Sequence, residues 1–362
     1  MSGPRIDRIE VSAYTVPTDY PESDGTLEWD STTMILVEAH GGGRKGLGYT
    51  YGDVSVGRFV GSKLAGVAEG SDAMSPPAAW AKMQAAIRNA GRPGVEAMAV
   101  SAVDIALWDL KAKLLGVPLA DALPRFHERV PIYGSGGFTS YPTGRLQEQL
   151  GGWAREGIPR VKMKVAREPE KDPERVRAAR EAVGGDVELM VDANGAYSRK
   201  QALYWAGRFA GEFGVTYLEE PVSSEDREGL RLLRDRGPGG LAIAAGEYEW
   251  TLAQLFDLAG CVDILQADVT RCGGITALLR ADGICKGRQI PFSAHCAPAV
   301  SAHVCCAMET LLHLEYFHDH VRVEEMLFEG TLRPEGGHLR PDPGRPGLGL
   351  ELKRSEAEKY AA

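Results

Sequence analysis

No apolar run in this chain of 362 residues approaches the roughly 18 residues that a membrane-spanning helix needs. The opening residues, MSGPRIDRIE, lack the apolar core of a signal peptide, so a soluble, cytoplasmic protein is expected. An excess of positive charge is also missing, the formal net charge being -9 at pH 7. Phosphate binding needs a basic face, and nucleic acid is therefore excluded as a partner. Cysteine does not occur before position 261, and the six cysteines at 261, 272, 285, 296, 305 and 306 form neither zinc-type CxxC pairs nor a disulfide framework. Buried reduced thiols are the expected state.

What the chain does have is a series. IYGSGG at 132–137, RVKMKV at 160–165, ELMVDAN at 188–194, TYLEEP at 216–221, LAIAAGE at 241–247, DILQAD at 263–268, QIPFSAH at 289–295 and HLEYF at 313–317 read as strands. Their starts step by 28, 28, 28, 25, 22, 26 and 24 residues, room each time for one strand, one helix and two loops. Strands alternating with helical patterns indicate a parallel sheet. Eight of them indicate a closed barrel with its chemistry at the C-terminal strand ends. An open doubly wound sheet, the competitor, would instead gather ligands at one switch point.

The length allows a second unit. IDRIEVSAYTVP and TTMILVEAHGG look like antiparallel strands joined by a polar loop, and GVEAMAVSAVDIALWDLKAKLLGVPLADAL has helical periodicity with a Gly-Val-Pro stop at 116–118. The expected division is an α+β capping domain over 1–125, completed by the Gly- and Pro-rich tail 333–362, and a barrel over 126–332.

Chemistry-bearing residues recur at the strand ends. Asp192, Glu219 and Glu247 lie 27 and 28 residues apart, so a barrel would set them side by side. Any one alone would serve as a helix cap or ion-pair partner. Three together repel unless a cation sits between them, and all-oxygen ligation suits Mg²⁺. Lys162 and Lys164 are two apart on one strand and face the interior together. Their bland reading is neutralisation of the carboxylates; the functional one is a lysine whose pKa nearby positive charge pulls down toward that of a general base. Asp268 and His295 end adjacent strands, where the carboxylate can fix the imidazole tautomer. His313, His318 and His320 read as surface or packing residues.

KMK, VDAN, YLEEP, AGE, the strand-ending Asp, SAH and HLE, in this order, resemble the enolase superfamily, mandelate racemase subgroup. SAVDIALWDLKAKLLGVPL at 101–119 is similar to the family's helical signature in the cap. The resemblance implies a modified TIM-type (β/α)7β barrel with an α+β cap, and Mg²⁺ held by Asp192, Glu219 and Glu247 with Glu220 behind them. It further implies Lys164 as the base on one face of the substrate, tuned by Lys162, and His295 with Asp268 as base or acid on the other face. Glu315 is implied as a hydrogen-bonding partner of a developing enediolate.

Such a site would abstract the proton next to a carboxylate, which needs strong stabilisation of the resulting dianion. The resemblance makes dehydration of an acid sugar to a 2-keto-3-deoxy acid, in carbohydrate catabolism, the first expectation. Racemisation or epimerisation of a 2-hydroxy acid is the alternative, and a non-catalytic sugar-acid binder the third. Asp268 in place of lysine disfavours the muconate-lactonizing type, and Glu247 in place of Asn the glucarate dehydratase type. The loops PTDYPESDGTLEWD at 17–30 and YTYGDVSVG at 49–57 are expected to cover the barrel mouth, with Trp29 walling the pocket and Asn194 touching the substrate. A homo-oligomer is expected from the resemblance.

Overall fold

The computed structural model describes residues 3–362. Three antiparallel strands, β1 (Ile6–Ser23), β2 (Glu28–Gly41) and β3 (Arg44–Tyr51), form the first sheet. The helix Val95–Leu115 packs against it so closely that a Cβ on Gly48 would come within 2.3 Å of the Ala102 carbonyl oxygen. Only glycine permits that approach. The helix stops at Gly116, which takes a left-handed φ of 72°.

The segment 17–30, expected as a loop, is instead a β-ribbon. β1 runs on to Ser23, past a register shift between Pro17 and Glu22, and Glu22 and Ser23 pair with Trp29 and Glu28. Asp24 makes the turn by accepting the Thr26 and Leu27 amides at 2.6 and 2.7 Å. A ribbon beyond the sheet's packed part buries no full face, so its sequence shows no apolar alternation. The stretch 49–57 likewise ends β3 and then enters the short helix Ser55–Phe59.

Eight parallel strands follow: β4 (Val130–Gly136), β5 (Arg160–Lys164), β6 (Glu188–Asp192), β7 (Val215–Glu219), β8 (Ala242–Ala245), β9 (Ile264–Asp268), β10 (Phe292–His295) and β11 (Leu311–Phe317). Each pairs with the next, and β11 returns to β4, closing the barrel. Seven helices link the eight strands, the (β/α)7β arrangement, and His318–Leu327 adds a helix after the last strand. Tyr133, Met190, Tyr217, Ala244 and Ile264 fill the barrel's inner core.

The tail serves both units. His338–Leu339 pairs with β4 of the barrel, while Arg354 reaches Glu38 and Ala362 bonds to Ala13 in the cap. The cap helix is fastened to the barrel by polar contacts. Ser101 accepts the Gly273 amide at 2.9 Å, Asp104 accepts the Thr276 amide and hydroxyl at 2.8 and 2.7 Å, and Trp108 donates to Thr276 at 2.9 Å. These cap residues recur at helical spacing, on one face.

Beside the tail, His303 is fully buried without a side-chain partner, and burial pushes its imidazole down to about 4. The unfolded value is near 6.5, so between these limits the unfolded chain binds the extra proton. The contribution of neutral His303 is intact above about 6.5 and is lost as pH falls toward 4. His303→Leu is therefore expected to lose less stability than the parent over that window, by roughly 3 kcal/mol at its acid end. Urea denaturation at stepped pH measures the gap, and parallel curves would refute it.

No helix among the described residues is long and apolar enough to cross a membrane. All six cysteines are free and buried.

Candidate active site

Strand alternation sends Lys162 and Lys164 to the barrel interior. Lys162 is wholly buried, its Nζ 2.5 Å from Glu219 Oε2, 2.8 Å from Glu315 Oε1 and 3.6 Å from Asp192 Oδ2. Lys164 Nζ lies 2.5 Å from Asp192 Oδ2. Burial opposes charge on both lysines, but Glu219 and Glu315 around Lys162, and Asp192 beside Lys164, outweigh it and hold both pKa values above the ordinary range. The expected downward pull on a lysine thus does not arise from the protein's own charges, because the carboxylates are too close.

Parallel register brings the acids together. Lys164 pairs with Asp192 and Asp192 with Glu219 across β5, β6 and β7. Glu247 follows β8, two residues past its end. Glu219 and Glu247 approach His295 closely enough for one ligand atom of each to lie within 4.8 Å of the others, whereas Asp192 turns one oxygen to Lys164. Burial drives Glu219 up to about 8 despite Lys162, and its Oε1 has no hydrogen-bond partner. Glu247 is buried too, but His295 and Arg271 hold it below the ordinary carboxylate range. Glu220, with a left-handed φ of 38°, is raised well above that range by burial and by Glu247.

At the other side, His295 pairs in register with Asp268 and its Nδ1 lies 2.8 Å from Asp268 Oδ2. Its Nε2 is 3.0 Å from Glu247 Oε2 and 3.3 Å from Glu315 Oε2. Burial disfavours the imidazolium, yet Glu247, Glu315 and Asp268 outweigh burial and raise His295 well above its usual value. Asp268 remains below its own, against burial, through His295 and Arg271. Ser135 donates to Glu315 at 2.6 Å, and Glu315 bridges Lys162 and His295, so all eight strand-end residues singled out from the sequence meet in one interior network.

A cavity of about 410 Å³ opens above this network, lined at its floor by Lys164, Asn194, Glu247 and His295. Trp29 lines it from the ribbon, edge-on to Phe138 at 5.5 Å, its Nε1 donating to Glu22 at 2.8 Å. Asn194 is 8% exposed; its Nδ2 donates to Glu247 at 3.2 Å and its Oδ1 has no partner. Asn194, Glu220, Cys296 and Ala297 all have positive φ, a concentration of backbone strain at the strand ends.

Several cavity residues escaped the sequence reading. Arg271 places Nη1 3.0 Å from Glu247 Oε2 and Nε 3.6 Å from Asp268, over the ring of Tyr248 at 5.2 Å. Its place three residues beyond Asp268 was the available signal. Cys296 lies 3.3 Å from Glu315 and 3.4 Å from His295. His320, expected as packing or surface, is buried and lines the cavity, stacked on Tyr51 with ring centroids 3.6 Å apart. Deeper down, Gln266 donates to Glu219 at 2.9 Å.

Residues 9–123 match the model of the mandelate racemase/muconate lactonizing enzyme N-terminal domain, and residues 145–357 that of the enolase C-terminal domain-like family. The chain belongs to the mandelate racemase/muconate lactonizing enzyme family of the enolase superfamily. This family member is 87% identical to a mandelate racemase/muconate lactonizing enzyme-like protein from Rubrobacter xylanophilus, with a TM-score of 0.98 over 99% of this chain and 100% of that one. A racemase from Streptomyces coelicolor A3(2) with bound magnesium is 28% identical and superimposes with a TM-score of 0.91 over 99% and 100%. Among curated relatives, the 3,6-anhydro-α-L-galactonate cycloisomerase of Streptomyces coelicolor is 30% identical over 96% of this chain and 97% of its own. The arabinonate dehydratase of Saccharolobus solfataricus is 30% identical over 78% and 77%. The L-talarate/galactarate dehydratase of Salmonella typhimurium is 29% identical over 97% and 90%.

Proposed function

We propose that this protein is a Mg²⁺-dependent enzyme that removes the α-proton of a carboxylate substrate through an enediolate, and that it dehydrates an acid sugar to a 2-keto-3-deoxy acid. The observation that carries the reading is the placement of Lys164 and the His295–Asp268 pair on separate strands facing one cavity above a buried carboxylate cluster. Relatives named as acid-sugar dehydratases and a cycloisomerase support it.

Asp192, Glu219 and Glu247 would hold the cation. The donors are all oxygen, and the unpartnered Glu219 Oε1 has no other use for its lone pairs. Bound Mg²⁺ supplies Lewis-acid charge at the substrate carboxylate. Lys162, held by Glu315 at 2.8 Å, would face the developing charge, and Glu315 would hydrogen-bond it only as the protonated acid. Lys164, freed as a base when a cation held by Asp192 takes over the charge that now keeps it protonated, would take the α-proton from one side. His295, oriented by Asp268, protonates the departing β-hydroxyl from the other; with the opposite configuration at the α-carbon the two exchange tasks. Asn194 would bind substrate beside the metal ligands.

With a 2-hydroxy acid lacking a β leaving group, the same two groups would return the proton to the other face and racemise it. The pair of bases on separate strands favours this second reading for such substrates. A Mg²⁺-dependent screen of sugar acids for 2-keto-3-deoxy product tests the first. Absence of ketone with α-deuterium exchange on a hydroxy acid would turn the assignment to the second.

Trp29→Ala should raise KM for the true substrate several-fold with little change in kcat, since the indole walls the cavity without touching the bases. Steady-state kinetics decide it, and an unchanged KM would remove the ribbon from substrate binding.

A further inference from the structure

We infer that the substrate is a monocarboxylate with an uncharged polyol tail, an aldonic acid, and that Asp24, Asp53 and Asn194 select it by refusing a second carboxylate. This rests on the α-proton chemistry proposed above and names the substrate class for it. Relatives at about 30% identity are named for acids of both kinds, arabinonate with one carboxylate and talarate and galactarate with two, so kinship leaves the class open.

The cations of the cavity are committed at its floor. Lys164 is bound to Asp192. Arg271 is held by Glu247 and Asp268 and lies over Tyr248. His320 accepts the Ala297 amide through Nδ1 at 3.3 Å, so it is a neutral ring offering one N–H. Among the described residues the cap wall carries no lysine or arginine. It presents Asp24 and Asp53, together with the hydroxyls of Ser31, Thr32 and Thr33. Neither aspartate has a cationic partner within salt-bridge distance among the described residues; Asp24 is buried, while Asp53 is exposed and feels Arg58 at longer range. Asp24 is 5% exposed and spends Oδ1 on the turn amides, and no protein donor among the described residues meets its Oδ2.

An independent observation points the same way. The Asn194 amide must face Glu247 with its nitrogen, because a carboxylate only accepts, and this leaves the buried Oδ1 unpartnered in the cavity lining. Asn194 thus joins Asp24 and Asp53 as an open acceptor of the cavity. Sugar hydroxyls can donate to them. A second carboxylate cannot, and it would face the like charges of Asp24 and Asp53.

The test is kcat/KM for the complete set of five- and six-carbon aldonates and the aldarates of matching configuration, with α-proton exchange in D₂O followed by NMR. The best aldonate is expected to exceed its matched aldarate by roughly 100-fold or more. The double variant Asp24→Asn, Asp53→Asn keeps Oδ1 for the turns and should narrow that ratio by raising turnover of the diacid. An aldarate within about tenfold of the best aldonate, or a ratio unmoved in the folded double variant, overturns the inference while leaving the proposed chemistry standing. No exchange from any acid of either class overturns both.

Discussion

Lys164→Ala and His295→Asn are each expected to lower kcat by about 10³-fold or more. A positioned acid or base contributes roughly 10² to 10⁴, and each of these groups is proposed for one half of the reaction. The two losses should differ in kind. In D₂O, Lys164→Ala keeps His295 and should still exchange the α-proton of the substrate epimer presented to that side, whereas His295→Asn should keep exchange only on the lysine side. Asparagine preserves a hydrogen-bonding side chain beside Asp268, so loss of the fold is not the expected cause. Equal and complete loss of exchange for both epimers in both variants would show that the two residues act as one structural unit rather than as opposed bases.

Chelation should abolish activity outright, and Mg²⁺ should raise the melting temperature of the chelated protein. Saturation at 100 times Kd stabilises by about 2.7 kcal/mol, which corresponds to a Tm increase on the order of 5–10 °C at about 2–4 °C per kcal/mol. Glu219 adds a signature of its own. Burial pushes its carboxyl up to about 8 against the pull of Lys162, so any proton it holds near pH 7 has to leave before it ligates. Calorimetry in buffers of different ionisation enthalpy should detect proton release on binding, weaker affinity at lower pH, and no release in Glu219→Gln. A Tm indifferent to Mg²⁺ would remove the metal from the proposed chemistry.

The barrel was readable because it repeats. Each strand after the first carries an apolar stretch and ends on a group that does not belong in a core, and a spacing of 22 to 28 residues allows little but β/α units. The network around Lys162 follows from the same regularity, since parallel register places Lys164 beside Asp192 and Asp192 beside Glu219. The ribbon at 17–30 was not readable as strand, because its pairing depends on Asp24 closing a turn rather than on an alternating apolar face. Arg271 and His320 were missed for another reason. They make contacts with Glu247 and Tyr51 that lie 24 and 269 residues away along the chain, and the one local sign was Arg271's place three residues beyond Asp268. The lysine pKa values went the other way from the sequence expectation because distance, which sequence does not give, decides whether the carboxylates or another positive charge prevails.

The polar dock between Ser101, Asp104 and Trp108 of the cap helix and the turn at Gly273 and Thr276 shares no residue with the cavity lining. What fastens the two units and what is proposed to choose the substrate are therefore written in different stretches of the chain. A lineage can rewrite the ribbon from Pro17 to Thr33 and the turn bearing Asp53 while inheriting the attachment unchanged. Exchange of these two segments between relatives is accordingly the graft expected to move a preference, and the dock is the part that must be left alone.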